Sequence, residues 1–308
     1  MATSQDFANY ICGPNIHNHY LVYLFRHMAP EWKKMMAGSI HNTVYMPVFK
    51  ALNVVLPPTK AEQEAIAEAL SDTDAWIESL EALITKKRRI KEGTMQALLT
   101  GKQRLPGFSG KWEVKTLRDL LCENPSYGVN AAATKAAANL PTYLRITDID
   151  ESGRFQTENR VAVNHPSSAN YYLMPNDIVF ARTGASVGKT YLYNESDGKI
   201  VFAGFLIRAK IDGEKLNPTF LFNYTFTASY KNWVKVMSMR SGQPGINGNE
   251  YASFQFKLPP SLEEQAVIAE MLSHMDEEIS SLEAKLAKAR KLKQGMMQEL
   301  LTGRTRLI

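Results

Sequence analysis

The chain has 308 residues, 44% of them hydrophobic, which is room for about two globular domains of ordinary composition. Lys and Arg number 36 against 31 Asp and Glu, giving a net charge of +5 and an isoelectric point near 9.0, compatible with a polyanion partner without demanding one. No apolar run approaches the roughly 18 residues of a membrane span, and the start MATSQDFANYICG lacks a signal peptide's basic segment, so a cytoplasmic protein with no membrane association is expected. Cys12 and Cys122 belong to no C-x-x-C pair and give no ground for disulfide, redox or zinc chemistry.

The first 55 residues carry Phe7, Tyr10, Ile11, Tyr20, Leu21, Tyr23, Leu24 and Phe25, expected on a strand and a helix. His17 and His19 lack further ligands nearby and read as loop histidines rather than a zinc site. Residues 56–106 open with Leu-Pro-Pro and a capping box, Thr59 with Glu62, whose side chains can satisfy orphan amides at a helix start. They close at Gly101, suited to a left-handed helix cap. A helix of roughly 40 residues, about 60 Å long at 1.5 Å per residue, is predicted between them.

Residues 107–257 read as a mixed α/β domain. Strand-like pieces lie at TYLRITDI, NDIVFA and VFAGFLIRAKI, and a helical stretch at NPTFLFNYTFTASYKNWVKVM starts with Asn217 and Pro218. Within this domain ARTGASVGKT, Ala181 to Thr190, ends like a phosphate-binding loop. The Walker spacing fails, however, because Gly184 lies only four residues before Gly188 and Thr183 stands where the first glycine is needed. YLYNESDGKIVFAGFLI follows, aromatic and β-branched around Asp197-Gly198, which predicts a strand pair and not the helix a nucleotide site requires. ENPSY, with Asn124 to Tyr127, approaches the N-P-P-[YF] motif of adenine methyltransferases. Ser126 replaces the second proline, and no glycine loop for S-adenosylmethionine follows a strand.

Residues 258–308 repeat 56–106. LPPTKAEQEAIAEALSDTDAWIESLEALITKKRRIKEGTMQALLTGKQRL recurs as LPPSLEEQAVIAEMLSHMDEEISSLEAKLAKARKLKQGMMQELLTGRTRL without a gap, at an offset of 202 and with more than half the residues identical. Ser261 with Glu264 and Gly303 are the second caps. The apolar spacing 4-3-4-3 runs through Ile66, Leu70, Thr73, Ile77, Leu80 and Ile84, and again through Ile268, Leu272, Met275, Ile279, Leu282 and Leu286. This is a coiled-coil seam, and each helix is the other's obvious partner. The basic run Lys86, Lys87, Arg88, Arg89 and Lys91 reads as a solvated face before a nucleic-acid contact. Upstream, Phe220 to Gly242 has a loose counterpart in Tyr20 to Asn42, so residues 1–55 look like the tail of a second domain of the kind seen at 107–257.

A globular domain and a long helix opening L-P-P-x-x-E-Q and closing L-L-T-G, then a repeat of both, resembles the specificity subunit of type I restriction-modification systems. The loops SYGVN, YLRITDI, ARTGASVGKT and RSGQPGIN resemble loops of its target-recognition domains. The resemblance implies an α+β fold, in which a mixed α/β recognition domain sits beside two long antiparallel helices that act as a ruler. It implies a non-catalytic DNA reader without cofactor or metal. Its partners are double-stranded DNA, methyltransferase subunits and an ATP-driven restriction subunit. The family usually carries two complete recognition domains, so residues 1–55 correspond to the end of a truncated first one. Two chains that self-associate, each offering residues 107–257, could then read an interrupted palindrome. On this reading Arg182 and Lys189 pair with DNA phosphates, while Thr183, Ser186 and Thr190 donate hydrogen bonds. Gln243 and Asn247 suit adenine edges, and Arg240 suits guanine or phosphate, with Ser241 in the same loop. Ser126, Tyr127, Arg145 and Thr147 complete the expected contact set, Tyr127 as a stacking or phosphate group. Alternatives are the specificity subunit of a related restriction system and a coiled-coil adaptor that binds protein, and the adaptor should show no salt-dependent affinity for duplex DNA.

Overall fold

The structure, a computed structural model, describes residues 9–36, 44–239 and 244–307. In chain order it holds α1 (Asn18–His27), α2 (Ala29–Met35), α3 (Met46–Lys50), the long α4 (Lys60–Leu99), β1 (Glu113–Thr116), β2 (Ser126–Tyr127), β3 (Ala133–Lys135), β4 (Thr142–Leu144) and β5 (Val161–Val163). There follow β6 (Asp177–Ala181), β7 (Thr190–Leu192), β8 (Ile200–Phe202), β9 (Leu206–Lys210), α5 (Pro218–Tyr224), α6 (Ala228–Ser238), α7 (Gly248–Ala252), β10 (Gln255–Leu258) and the long α8 (Leu262–Leu300). The chain divides into two compact units, Met1–Arg88 with Glu278–Ile308, and Arg89–Glu277.

In the first unit the start of α4 packs on the end of α8. Ile66, Ala67 and Leu70 share a core with Leu300 and Leu301, and α1 closes it with Tyr20, Tyr23 and Leu24. Farther along, Leu80 and Ile84 meet Leu282 and Ala289, with Ile77 and Leu286 at the margin. The helices are therefore antiparallel, and the predicted seam is the buried one. Polar pairs flank it: Asp74 with Lys293 at 2.5 Å, Glu81 with Arg290 at 2.6 Å, Arg88 with Glu283 at 2.6 Å and Lys87 with Glu278 at 2.6 Å. Part of the basic run thus faces α8 carboxylates, where the sequence suggested a solvated face. Tyr20, Tyr23 and Leu24 are already covered inside this unit, while Tyr10 and Ile11 remain exposed. Phe7 lies outside the described residues.

In the second unit the end of α4 (Met95, Leu98, Leu99) meets the start of α8 (Ile268, Ala269, Leu272) within the largest core. Lys91 pairs with Asp276 at 2.6 Å. Two four-stranded sheets, ordered β2-β9-β6-β7 and β3-β5-β4-β8, and the antiparallel pair β1-β10 build the rest. β6 is buried along its whole length, as its sequence DIVFA allows, and it is the spine of its sheet.

Three local expectations need correction. β7 and β8 are both strands, yet they do not pair: β7 joins β6, whereas β8 runs parallel to β4 in the other sheet. VFAGFLIRAKI is likewise two strands in different sheets, broken at Ala203-Gly204-Phe205. The helical stretch after Asn217 is also two helices. Asn217 caps α5 through Phe220 N–H, but Thr227 caps α6 through Tyr230 N–H, and that second cap ends the first helix's run.

The capping boxes of the long helices are half formed. Thr59 Oγ1 and Ser261 Oγ accept the Glu62 and Glu264 amides at 3.2 and 3.3 Å. The glutamate side chains do not fold back on the caps. Glu62 takes Arg306, and Glu264 takes Arg104, each arginine lying just past the glycine that ends the other helix. Both glycines adopt the predicted left-handed conformation, φ 70° at Gly101 and 73° at Gly303. The neighbouring glutamines have a matching role: Gln63 Oε1 accepts from His17 N–H and Gln265 Oε1 from Asn217 N–H, at 2.9 and 2.8 Å. Each glutamine also donates to its own proline, Pro57 or Pro259. The L-P-P-x-x-E-Q motif is therefore a joint: Glu holds the end of the other helix, and Gln holds the start of α1 or α5.

Candidate nucleic-acid interface

All neighbours in the sheet β2-β9-β6-β7 are antiparallel. Consequently the end of β2, the start of β9, the end of β6 and the start of β7 lie along one edge. The loops SYGVN, AGF and ARTGASVGK leave from that edge. The turn Ala203-Gly204-Phe205 is where they meet. Gly204 N–H donates to Val129 carbonyl at 2.8 Å, Ala203 N–H to Leu144 carbonyl at 3.0 Å, and Arg182 N–H to Phe205 carbonyl at 3.0 Å. The second bond brings in the end of β4, and with it Arg145. Thr183 bridges Gly245, with Gly184 N–H on Pro244 carbonyl and Ile246 N–H on Arg182 carbonyl, which adds the far half of RSGQPGIN. Gly128 approaches so closely that a Cβ there would lie 2.3 Å from the carbonyl oxygens of Phe202 and Ala203.

On this edge Tyr127 is exposed, its hydroxyl accepting from Gly248 N–H at 3.1 Å and its ring lying under the Arg182 guanidinium at 4.9 Å. Arg182 has no carboxylate within ion-pair distance among the described residues, so its charge is available to a ligand. Thr183 and Ser186 are half-buried in the same loop. No helix follows Lys189, because Thr190 begins β7, and the mimicry of a nucleotide loop ends there.

Several expected contacts are engaged elsewhere. Arg145 folds back, Nε and Nη2 donating to the buried Asp148 carboxylate at 2.9 and 2.7 Å, and the pair holds the arginine above its ordinary pKa. Thr147 is exposed, with its hydroxyl 3.3 Å from the same carboxylate. Lys189 pairs with the exposed Glu151 at 2.7 Å. Thr190 is a correction: it is 2% exposed and its hydroxyl meets Thr225 at 2.7 Å, so it packs α5 against the sheet. Ser126 Oγ is buried too, leaving Tyr127 as the outward group of β2. Asn247 is exposed, but its Oδ1 caps α7 through Glu250 N–H at 3.0 Å, which competes with a two-point adenine contact. Arg240, Ser241 and Gln243 lie outside the described residues. Lys231 and Lys235 on α6, which sequence reasoning missed, line a cavity of about 330 Å³ with Lys189, Asp150 and Glu151. Their spacing on a helix carries no signal that would have singled them out. Among the described residues no group of three or more His, Cys, Asp or Glu could hold a metal ion, and no helix is long and apolar enough to cross a membrane.

Residues 1–91 and 110–291 match the type I restriction modification DNA specificity domain. The chain belongs to this family. It is 25% identical over 304 residues to the type I restriction enzyme MjaVIII specificity subunit of Methanocaldococcus jannaschii, covering 94% of this chain and 70% of that protein. To the EcoKI specificity subunit of Escherichia coli it is 23% identical over 286 residues, 87% of this chain and 61% of that one. The fold is that of the type I restriction-modification S subunit from M. genitalium, with a TM-score of 0.63 at 15% identity over 93% of this chain and 73% of that structure. The mixed α and β architecture with two long helices is therefore the specificity-subunit fold.

Proposed function

We propose that this specificity subunit reads duplex DNA with the loop edge of residues 107–257, acting as one target-recognition domain, and catalyses nothing itself. The observation that carries the reading is the convergence of SYGVN, ARTG and YLRIT on a single turn, with PGIN bonded to ARTG, and with Tyr127 exposed beside Arg182, which has no carboxylate partner among the described residues. Main-chain bonds from four segments fix the loops before any ligand arrives, which limits the ordering cost of binding. Arg182 with Thr183 and Ser186 supplies phosphate contacts. Arg240 and Gln243 supply base contacts, and Asn247 adds a single donor from Nδ2, its Oδ1 being held by the Glu250 amide.

The long helices dock methyltransferase subunits and, through or beside them, a restriction subunit, and they act as the ruler between half-sites. Residues 1–55 make the same joint with α4 that residues 215–257 make with α8, which supports their reading as the end of a first recognition domain. Fluorescence anisotropy on duplex DNA across salt tests the central claim. Affinity should fall steeply with salt, and Arg182→Ala should flatten the slope by about one unit. A chain with no salt-dependent duplex affinity is a protein adaptor instead. Methyl transfer by the isolated chain that is lost on changing Asn124 or Tyr127 overturns the non-catalytic assignment. Light scattering decides self-association: a stable monomer, or an asymmetric methylated motif in cells carrying the chain with its methyltransferase, excludes the symmetric pair.

A further inference from the structure

Phe205 is 56% exposed, while Ala203 and Leu206 on either side are buried. A single exposed apolar residue is ordinary. This one stands at the apex of the turn to which three loops bond directly, and its carbonyl accepts the amide of Arg182, whose guanidinium lies over Tyr127. The turn is held rigid: Leu206 N–H closes it on Ala203 carbonyl at 2.8 Å, and Gly128 N–H donates to Leu206 carbonyl at 3.3 Å. The backbone that carries the benzyl ring is therefore fixed in place. It has no donor or acceptor, so it cannot contact a phosphate or a base edge by hydrogen bonding. Among the groups a base pair presents in the major groove, the one apolar feature is the C5-methyl of thymine.

We propose that Phe205 is a specificity-determining residue whose ring packs on a thymine methyl in the target, beside the polar contacts of Arg182 and Asn247. This rests on the loop edge being the DNA face. The arrangement explains why an aromatic ring is presented to solvent among polar loops. A methyl contact selects thymine over cytosine where a phosphate contact selects nothing.

The test is binding-site selection from a randomised duplex library by the full chain assembled with methyltransferase subunits, comparing wild type with Phe205→Ala, Arg182→Ala and Tyr127→Ala. Phe205→Ala should lose preference at one thymine position, on the order of tenfold, and keep the rest of its selected sequence and its salt slope. Replacing that thymine by uracil, which removes only the methyl, should weaken the wild type by a similar factor and leave Phe205→Ala unaffected. Should Phe205→Ala fail to fold, uracil scanning of the wild-type target decides: no sensitive thymine overturns the proposal. It also falls if Phe205→Ala selects the wild-type sequence unchanged, or loses affinity equally at every position. If Arg182→Ala and Tyr127→Ala bind duplex DNA with unchanged affinity and salt slope, or the wild type selects nothing, the loop edge is not the DNA face and the broader reading fails with it. If those two lose affinity and Phe205→Ala keeps its thymine preference, this inference alone is wrong.

Discussion

Gly128→Ala probes the node from which the loops of this edge hang. The added Cβ would lie 2.3 Å from two carbonyl oxygens and 2.5 Å from the Ala203 carbonyl carbon, all backbone atoms that no rotamer change can move. Ordinary contact needs about 1 Å more, so β2 must part from the turn. Parting it breaks the Gly204 to Val129 bond at 2.8 Å and the Val129 to Phe202 bond at 3.0 Å. Two such bonds at about 0.5–1.5 kcal/mol each give roughly 1–3 kcal/mol, and overpacking costs independently fall in the same range. Gly204→Ala is the matched control, since a Cβ there meets nothing nearer than 3.5 Å. Amide hydrogen exchange at Val129 and Gly204, read beside urea denaturation, should show local protection lost in Gly128→Ala and kept in Gly204→Ala. Duplex affinity should fall only in the former. Equal, mild effects of the two variants would refute the claim that this turn holds the loops.

The helix joint predicts acid sensitivity. Hydrogen bonding to Arg306 holds the Glu62 carboxyl below its ordinary pKa despite burial, so its contribution is present above the ordinary carboxylate range and is lost as pH falls through it. Thermal melts between about pH 3 and 7 should show that slope weakened in Arg306→Ala, and the exchanged pair Glu62→Arg with Arg306→Glu should recover more stability than either change alone. Asp177 behaves oppositely: burial raises its pKa against the opposing Met174 amide and Arg208, so the wild type loses stability as pH rises through that raised value. Asp177→Asn should remove this slope, and chemical denaturation at several pH values checks it. At the loop edge, Glu151→Gln releases Lys189 and should tighten non-specific duplex binding at low salt, whereas Lys189→Ala should loosen it, both followed by anisotropy from about 50 to 200 mM salt.

The long helices were legible because their signals are local and repeated: the 4-3-4-3 spacing, the prolines before each start and the glycine after each end. The partners of the motif glutamates were not. A capping box is a three-residue pattern, while Arg104 and Arg306 are 160 and 244 residues from the carboxylates they hold. The same limit hid the Lys189–Glu151 pair and so overstated the free cations at the loops. VFAGFLIRAKI read as one strand, because β-branched and aromatic residues continue across the Ala203-Gly204-Phe205 break. That reading concealed both the node and Phe205. Thr190 and Ser126 were misplaced because a small hydroxyl residue in a loop-like string looks the same whether it faces solvent or packs inward.

Six of the ion pairs of the long helices form three exchanged couples, while Lys87 with Glu278 has no twin because Ala289 and Trp76 stand at the matching positions. Asp74 with Lys293 mirrors Asp276 with Lys91, Glu81 with Arg290 mirrors Glu283 with Arg88, and Glu62 with Arg306 mirrors Glu264 with Arg104. Such self-complementary bonding is what a symmetric dimer makes, yet here one gene encodes both halves, and a substitution in one half does not impose its copy on the other. The twin carboxylates already differ in this way. Asp74 accepts a second contact from the Tyr23 hydroxyl at 2.9 Å, whereas Asp276 has Arg154 at 3.9 Å. Covalent fusion thus frees each end of the scaffold to drift separately while the shared bonding pattern keeps the two strands of the scaffold in register. It also gives every helix mutation a natural internal control at the position 202 residues away.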